Sequence, residues 1–442
     1  VTDQRDARLP RRAISAAFGA ALEAADPEKA VLRFCRLDGA RLRIGASEVV
    51  DTYEIDRVWV VGAGKATPGM ALGVRSLLGD RVSGAIVTKD GYAFLVPGID
   101  VSEAGHPYPD HRSVAAARRA LQIAAECRPR DLLLCLLSGG ASALWAAPPV
   151  GVSLRDLRQL TDSLLRSGAP IEEVNTVRKH VSRIASGRLA AASNANRLVT
   201  LAISDVVGAS PDSIGSGPTL SDPTTASDAM TILRNREIEP SATITHHLSR
   251  GASRSSRARR GVDSIGLRSS FHVIASVDDA VDGAVRSLKS QGFETEIVDR
   301  GVTGEAREVA AQVVAKARAI RDSGRRRIAL VWGGETTVTQ TGNGKGGRNQ
   351  ELALAAALHL ESESEPEITV AAFATDGSDG PTDAAGGFVD SQTVPRGEAA
   401  GRSARRDLQA NDSYRFLDAA GDRITTGPTG TNVNDLIVAL IV

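Results

Sequence analysis

Five times along this chain an apolar run stops at a cluster of glycine, hydroxyl and charged residues. Val58–Val61 leads into Gly62-Ala-Gly-Lys65, Leu132–Leu137 into Ser138-Gly-Gly-Ala-Ser142, and Leu198–Ile203 into Ser204-Asp205. Ile328–Trp332 leads into Gly333-Gly-Glu335, and Thr369–Ala374 into Thr375-Asp-Gly-Ser-Asp379. Short apolar runs that end in this way read as parallel strands, and an open α/β sheet binds ligands beyond the carboxyl ends of its strands. Five such ends, rich in N–H donors and holding Lys and Asp, point to an enzyme that handles phosphate.

Composition narrows the class. A chain of 442 residues has room for two or three domains and a large core. Its net charge is zero, so nothing favours nucleic acid or an acidic membrane as a general partner. No apolar stretch approaches the ~20 residues of a membrane span, and Val1–Arg12 is polar, without a signal-peptide core. Cys35, Cys127 and Cys135 sit in apolar surroundings without metal spacing and read as inert core thiols of a cytoplasmic protein. There is no HExxH and the histidines are scattered, which argues against zinc. The basic residues are mostly Arg, so Lys65 inside a glycine loop stands out.

The first half alternates strand and helix. Ile14, Phe18 and Leu22 mark a helix over Arg11–Ala24, and Thr67-Pro68 reads as a cap followed by proline at the first helical position. Gly84–Thr88 reads as a strand, Ser113–Cys127 and Ser153–Arg166 as helices, and Glu172–Ala192 as one longer helix. This βα alternation predicts a doubly wound parallel sheet. The pattern fails between Asn235 and Ser270, where Arg250–Gly261 is a basic run without aromatic residues and reads as a solvated loop. The expected division is therefore a first domain over 1–240, a linker over 241–270 and a second α/β domain over 271–442. In the second domain the pattern predicts a strand at Phe271–Ala275, helices Asp279–Gln291, Glu305–Ser323 and Arg348–Leu360, and a closing strand Asp435–Val442.

The loops carry the chemistry. Gly62-Ala-Gly-Lys65 misses the dinucleotide pattern GxGxxG, because Thr67 holds the third glycine's place, and misses the P-loop pattern too. It can bring an ammonium to a helix N-terminus where an anion is stabilised, although a plain βα turn with a surface lysine would read the same. Ser138–Ser142 can cradle phosphates with backbone N–H groups, or merely let a helix approach a strand. Asp205, at a strand end, suits Mg²⁺ or a hydroxyl proton, and also suits a turn. In Gly342-Asn-Gly-Lys-Gly-Gly-Arg348-Asn-Gln-Glu351 the glycine density suggests close approach by a ligand, and Arg348 suits bidentate contact with a carboxylate or phosphate. Asp376, Asp379 and Asp383 share one turn-rich segment that suits a hard cation or acid/base work. Thr426–Asp435 adds a further hydroxyl-rich loop.

Together, VVGAGKA, GHPYPD (Gly105–Asp110), LLSGGASAL, NTVRKHVSRI (Asn175–Ile184), ISDV, SGPT, GGETTVT, GKGGRNQELALA, TDGSDGPTDAAGG, NDSY (Asn411–Tyr414) and TGPTGTNVNDL resemble the type 2 glycerate kinase family. This family carries a C-terminal MOFRL domain and has also been labelled hydroxypyruvate reductase. The resemblance runs from Val58 to Leu436. It implies a Rossmann-like N-terminal domain, a smaller α/β C-terminal domain, and phosphorylation of D-glycerate to 2-phosphoglycerate in a cleft between them, with ATP and Mg²⁺. Carried onto this chain, Lys65 would contact substrate and the transferring phosphoryl group, Arg348 would hold the glycerate carboxylate or the phosphate, and Asn349 would also bind substrate. Asp205 and Asp376 would serve as base or Mg²⁺ ligand, with Asp205 the nearer to the hydroxyl. Gly62, Gly64, Ser138, Gly139, Gly140, Ala141 and Ser142 would line the nucleotide.

The chain departs from the family at three places. Ala185-Ser186-Gly187 stands where Lys-Gly-Gly is usual, Ala209-Ser210 where an acidic pair is common, and Val277 where Asn is usual. A 3-phosphoglycerate-forming kinase and an NAD(P)H-dependent hydroxypyruvate reductase are the competing readings, and the broken dinucleotide pattern counts against the second. A small-molecule substrate without nucleic acid or membrane is expected, and a homodimer is left open.

Overall fold

A computed structural model describes residues 9–205, 208, 210–251, 269–363 and 367–442. They form two compact units: Pro27–Ile274, and Ala275–Val442 joined by the described part of the first 26 residues. Most of the expected linker, including the basic run beyond residue 251, lies outside the described residues, as do Val206, Val207 and Ala209.

The first unit opens with a small antiparallel sheet, β1 (Cys35–Asp38), β2 (Arg41–Ile44) and β3 (Glu48–Asp51), which the sequence pattern did not predict. Its main sheet holds β4 (Val58–Ala63), β5 (Val82–Lys89), β6 (Ile99–Ala104), β7 (Leu132–Leu137), β8 (Arg197–Ile203) and β9 (Ser269–Ala275). They lie side by side as β6-β5-β4-β7-β8-β9, and the ladders from β6 through β8 are parallel. This is the doubly wound order, with its direction of winding reversing between β4 and β7. All six residues of β7 are buried, as expected of a central parallel strand covered on both faces. The predicted helices are present with two differences, while helices Pro27–Phe34 and Ala226–Asn235 were not predicted and residues 242–251 of the expected linker are helical. Thr67 lies inside helix Thr67–Leu78 rather than capping it, since its hydroxyl donates to the carbonyls of Gly64 and Val87. The expected helix 172–192 is two, Ile171–His180 and Arg188–Ala192, because Ser186 and Gly187 take positive φ values of 54° and 72°.

The second unit is a mixed sheet of β10 (Glu294–Val302), β11 (Ile328–Gly334), β12 (Ile368–Ala374), β13 (Gly386–Val389), β14 (Arg423–Ile424) and β15 (Asp435–Ile441). The order is β10-β11-β15-β12-β13-β14, and β15 runs antiparallel to both neighbours. The runs ending at Gly333 and Thr375 are therefore codirectional but not adjacent. Alternate residues of the central strands, such as Leu330, Trp332, Val370 and Ile437, pack under helices Ala306–Asp322 and Arg348–Leu360. Helices Leu9–Ala24 and Val277–Ser290 are grouped with this unit as well. Phe18 stacks on Phe373 at 4.6 Å between ring centroids, and Arg11 donates to Asp422 at 2.6 Å. The first helix thus belongs with the second sheet rather than with residues 27–240. Its amphipathic spacing specifies a buried face and not which sheet it covers.

Candidate active site

In the parallel-sheet unit, the loops after β4 and β7 emerge at the point where the winding reverses, and they are hydrogen-bonded to each other. Lys65 N–H donates to Gly139 O at 3.0 Å, Ser138 N–H to Ala63 O at 3.2 Å, and Ala66 N–H to Ser138 Oγ at 2.9 Å. The glycines make this approach possible. Gly64 has φ 140°, and a Cβ on it would run into Ser138; a Cβ on Gly62 would lie 2.8 Å from Leu136 O. Gly140 has φ 89° and begins the short turn of helix Ala141–Leu144. The backbone N–H groups of Gly139, which is buried, and Gly140 have no acceptor among the described residues. Unpaired N–H groups at such a turn are suited to an anion. Ser142 Oγ bonds Ser216 Oγ at 2.8 Å, so the loop is also tied to the segment after β8. Lys65 is partly buried at this junction, and Asp205 is partly buried two residues beyond the end of β8.

Sequence reasoning assigned no role to a buried ion cluster in the same unit. Lys179, 5% exposed, donates to Asp212 at 2.5 Å and lies 3.8 Å from Asp222. Ser186 and Thr224 hydroxyls donate to Asp222 at 2.7 and 2.8 Å. Contact with Lys179 and Ser210 holds the Asp212 carboxyl below its ordinary range, despite the opposing effect of burial. The available signal was a Lys in a chain whose basic residues are mostly Arg, inside NTVRKHVSRI.

In the mixed-sheet unit the register places Asp435 opposite both Gly334 and Ala374, bringing the ends of β11 and β12 to the start of β15. Arg348, at the first turn of its helix, grips Asp435 through Nε at 2.5 Å and Nη2 at 3.0 Å, and pairs with Glu335 at 2.8 Å. Burial opposes its charge, but Asp435 and Glu335 more than compensate and keep it protonated. The fork expected to meet an external anion is thus already engaged by a carboxylate of the chain. Asp379 takes the helix N-terminus in the same way. It accepts from the backbone N–H of Asn349 at 3.2 Å and of Gln350 at 2.9 Å, and from Gln350 Nε2 at 2.9 Å. Asn349, expected to touch substrate, is 1% exposed and directed onto Asp379. Burial, then the charge of Asp435, pushes the Asp379 carboxyl up to about 6.

The glycine density of the 342–347 loop also has an internal cause. A Cβ on Gly344 would lie 2.5 Å from Ala410 O, and one on Gly342, Gly346 or Gly347 would overlap Ala410, Ser413 or Asp379. The NDSY motif is the other half of this contact. Asn411 Oδ1 accepts from Thr341 and Gly342 N–H at 2.9 Å, and Asp412 Oδ1 accepts from Lys345 N–H at 2.9 Å. Asp376, 6% exposed, accepts from Ser378 N–H at 2.9 Å, and Thr375 is bonded to the hydroxyl-rich loop through Asn434 O at 2.6 Å.

Among the described residues no group of three or more His, Cys, Asp or Glu is arranged to cage a metal. Mg²⁺ is commonly held by one or two carboxylates together with substrate phosphates and water. Single carboxylates beyond strand ends, Asp205 and Asp376, fit that mode.

Comparison with known proteins bears on both units. Residues 13–249 match a family described as a domain of unknown function, DUF4147, and residues 328–435 match the MOFRL family. A glycerate 2-kinase of Pyrococcus horikoshii is 39% identical over 429 residues, covering 96% of this chain and 95% of that protein. A protein of Agrobacterium vitis with a provisional name as a hydroxypyruvate reductase is 37% identical over 389 residues, covering 87% of each. The crystal structure of glycerate kinase from Thermotoga maritima aligns with a TM-score of 0.80 at 37% identity, over 98% of this chain and 99% of that one. The chain belongs to the glycerate kinase family, with a DUF4147 region followed by a MOFRL region.

Proposed function

We propose that this chain transfers the γ-phosphoryl group of ATP to the 2-hydroxyl of D-glycerate. The observation that carries the reading is the β4–β7 junction, where Lys65 and the unpaired N–H groups of Gly139 and Gly140 meet at the reversal of the winding. Phosphoryl transfer asks mainly for positioning and charge neutralisation. The Ser138–Ser142 loop holds the phosphate chain through backbone donors, and the Lys65 ammonium neutralises charge on the group in transit. Asp205 accepts the proton of the attacking hydroxyl. Arg348, with part of its guanidinium engaged by Asp435 and Glu335, offers its remaining N–H groups to the glycerate carboxylate. Asn349 acts beneath it by holding Asp379. When bound, Mg²⁺ would supply further neutralisation of phosphate charge, and Asp205 or Asp376 would hold it.

The reductase reading finds less support. Thr67, fully buried and bonded to the carbonyls of Gly64 and Val87, stands where the dinucleotide pattern needs its third glycine. The test is phosphorus NMR of the products formed from D-glycerate, ATP and Mg²⁺. A 2-phosphoglycerate signal is expected. A 3-phosphoglycerate signal reverses the orientation of the substrate, and NAD(P)H oxidation by hydroxypyruvate with no phosphorylated product overturns the proposal.

A further inference from the structure

Loops beyond the carboxyl ends of β6, β7 and β8 line a cavity of about 230 Å³ inside the parallel-sheet unit. Tyr108 comes from the segment after β6, Ser142 and Trp145 from that after β7, and Ser216 from that after β8. Helix Leu154–Arg166 contributes Leu160, and helix Ile171–His180 contributes Arg178. Trp145 and Leu160, 5% and 4% exposed, make an apolar wall. Among the described residues, neither Asp nor Glu lines the cavity.

Arg178 is the unexplained residue. It is partly buried, yet its guanidinium has no ion pair and no hydrogen bond among the described residues. Its cationic neighbours are all accounted for: Lys179 by Asp212, His180 by Thr224 and Asp222, and Arg188 by the carbonyls of Lys179 and Ala185. Burial alone acts on Arg178, pushing its protonation down with no carboxylate to oppose it. A cation withdrawn from water without a partner costs free energy, and an anionic ligand would offset that cost. The cavity also adjoins the phosphate loop directly. Ser142 belongs to both, and its bond to Ser216 closes the edge between them.

We propose that this cavity takes the base of the nucleotide against Trp145, and that Arg178 binds the phosphate chain where it leaves toward Ser142. The identity of the ligand as a nucleotide rests on the kinase reading. An aromatic wall beside an unpaired guanidinium is the chemistry that recognises an aromatic base carrying phosphates. The size decides how much enters. A whole drug-sized ligand occupies roughly 300–1,000 Å³, so a cavity of 230 Å³ holds one end of the nucleotide while the remainder extends over the Ser138 loop.

The test measures ADP binding to the full chain, by calorimetry and by tryptophan emission, so that it does not depend on turnover. ADP should quench emission, and Trp145→Phe should abolish the quench while Trp59 and Trp332 remain. Arg178→Met should weaken ADP at least tenfold, and Arg178→Lys should recover part of the loss. In the kinase assay KM for ATP should rise in step, without a matching rise for D-glycerate. Unchanged ADP affinity in folded Arg178→Met, a quench that survives Trp145→Phe, or no ADP binding by the unsubstituted chain overturns the assignment. Should Arg178→Met fail to fold, the Trp145→Phe and Arg178→Lys results decide. ADP binding with these signatures but no phosphoglycerate would reject the kinase reading and keep the cavity; phosphoglycerate with indifference to Arg178 would do the reverse.

Discussion

Asp379 offers a quantitative test of the mixed-sheet site. Its carboxyl is 1% exposed, accepts from two backbone N–H groups at a helix N-terminus, and is pushed from 3.8 up to about 6 by burial and by Asp435. The folded state therefore keeps a proton that the unfolded chain gives up between pH 3.8 and 6. The contribution is fully present below the lower value and is lost as pH rises through the upper one. At 1.36 kcal/mol per pH unit the loss comes to about 3 kcal/mol. Asp379→Asn removes the titration while keeping an acceptor for one of the N–H groups. Urea unfolding of both proteins between pH 4 and 8 isolates the effect, because groups titrating in the opposite direction, such as Asp212 and Asp412, are common to both. The variant should gain on the parent by about 2.5 kcal/mol across this range, since part of the change already lies below pH 4, whatever its absolute stability there. A difference that stays flat, or that moves the other way, would refute the claim that burial outweighs the helix N-terminus at this carboxylate.

The other predictions concern individual contacts. Lys65→Met should lower kcat about 10²–10³-fold, the scale of losing one charge-stabilising group, with an unchanged circular dichroism spectrum; near-normal turnover would make Lys65 a structural residue. Arg348→Lys keeps the charge but cannot reproduce the two-point grip on Asp435. It should raise KM for D-glycerate about tenfold or more by displacing the remaining donors, and an unchanged KM would remove Arg348 from substrate binding. Gly347→Ala places a Cβ onto Asp379, with φ −142° excluding backbone strain as the cause. Thermal denaturation should show a loss of about 1–3 kcal/mol, and a neutral effect would leave the close approach of that loop unsupported. Lys179→Met strands the partner carboxylate and should cost about 3 kcal/mol. Lys179→Met combined with Asp212→Asn should recover part of that loss in denaturant melts, since both members of the pair are then neutral.

The sequence exposed features set by neighbouring residues and hid those set by distant ones. The apolar runs of β4, β7 and β8 and the failed third glycine at Thr67 are all decided within a few residues, and each was readable. The Gly342–Gly347 loop was readable only halfway. Glycines announce that something approaches the backbone closely, but pattern alone does not distinguish a ligand from the chain's own Ala410–Ser413. Arg348 poses the same problem, because its fork suits any carboxylate, and the one it meets lies 87 residues away at the start of β15. The first helix advertises an apolar face without naming the sheet it covers, and its attachment to Phe373 depends on a partner 355 positions later.

This difference has a consequence for how anion sites are inferred from sequence. A helix N-terminus and a glycine loop followed by Arg supply donors, but donors become a site only if the fold leaves them unclaimed. Around Arg348 the fold claims them: Asp379 takes the N–H groups of Asn349 and Gln350, and Asp435 takes Nε and Nη2. Around β4 and β7 it leaves them open, with Gly139 and Gly140 N–H groups unpaired beside Lys65. Electrostatics follow the same division. Glu335, Asp379 and Asp435 gathered about one guanidinium oppose an uncompensated phosphate there, whereas the Ser138 loop presents donors without a carboxylate among its own residues. The proposed function accordingly puts phosphate at the β4–β7 junction, and has the carboxylates around Arg348 orient that guanidinium toward a small organic acid.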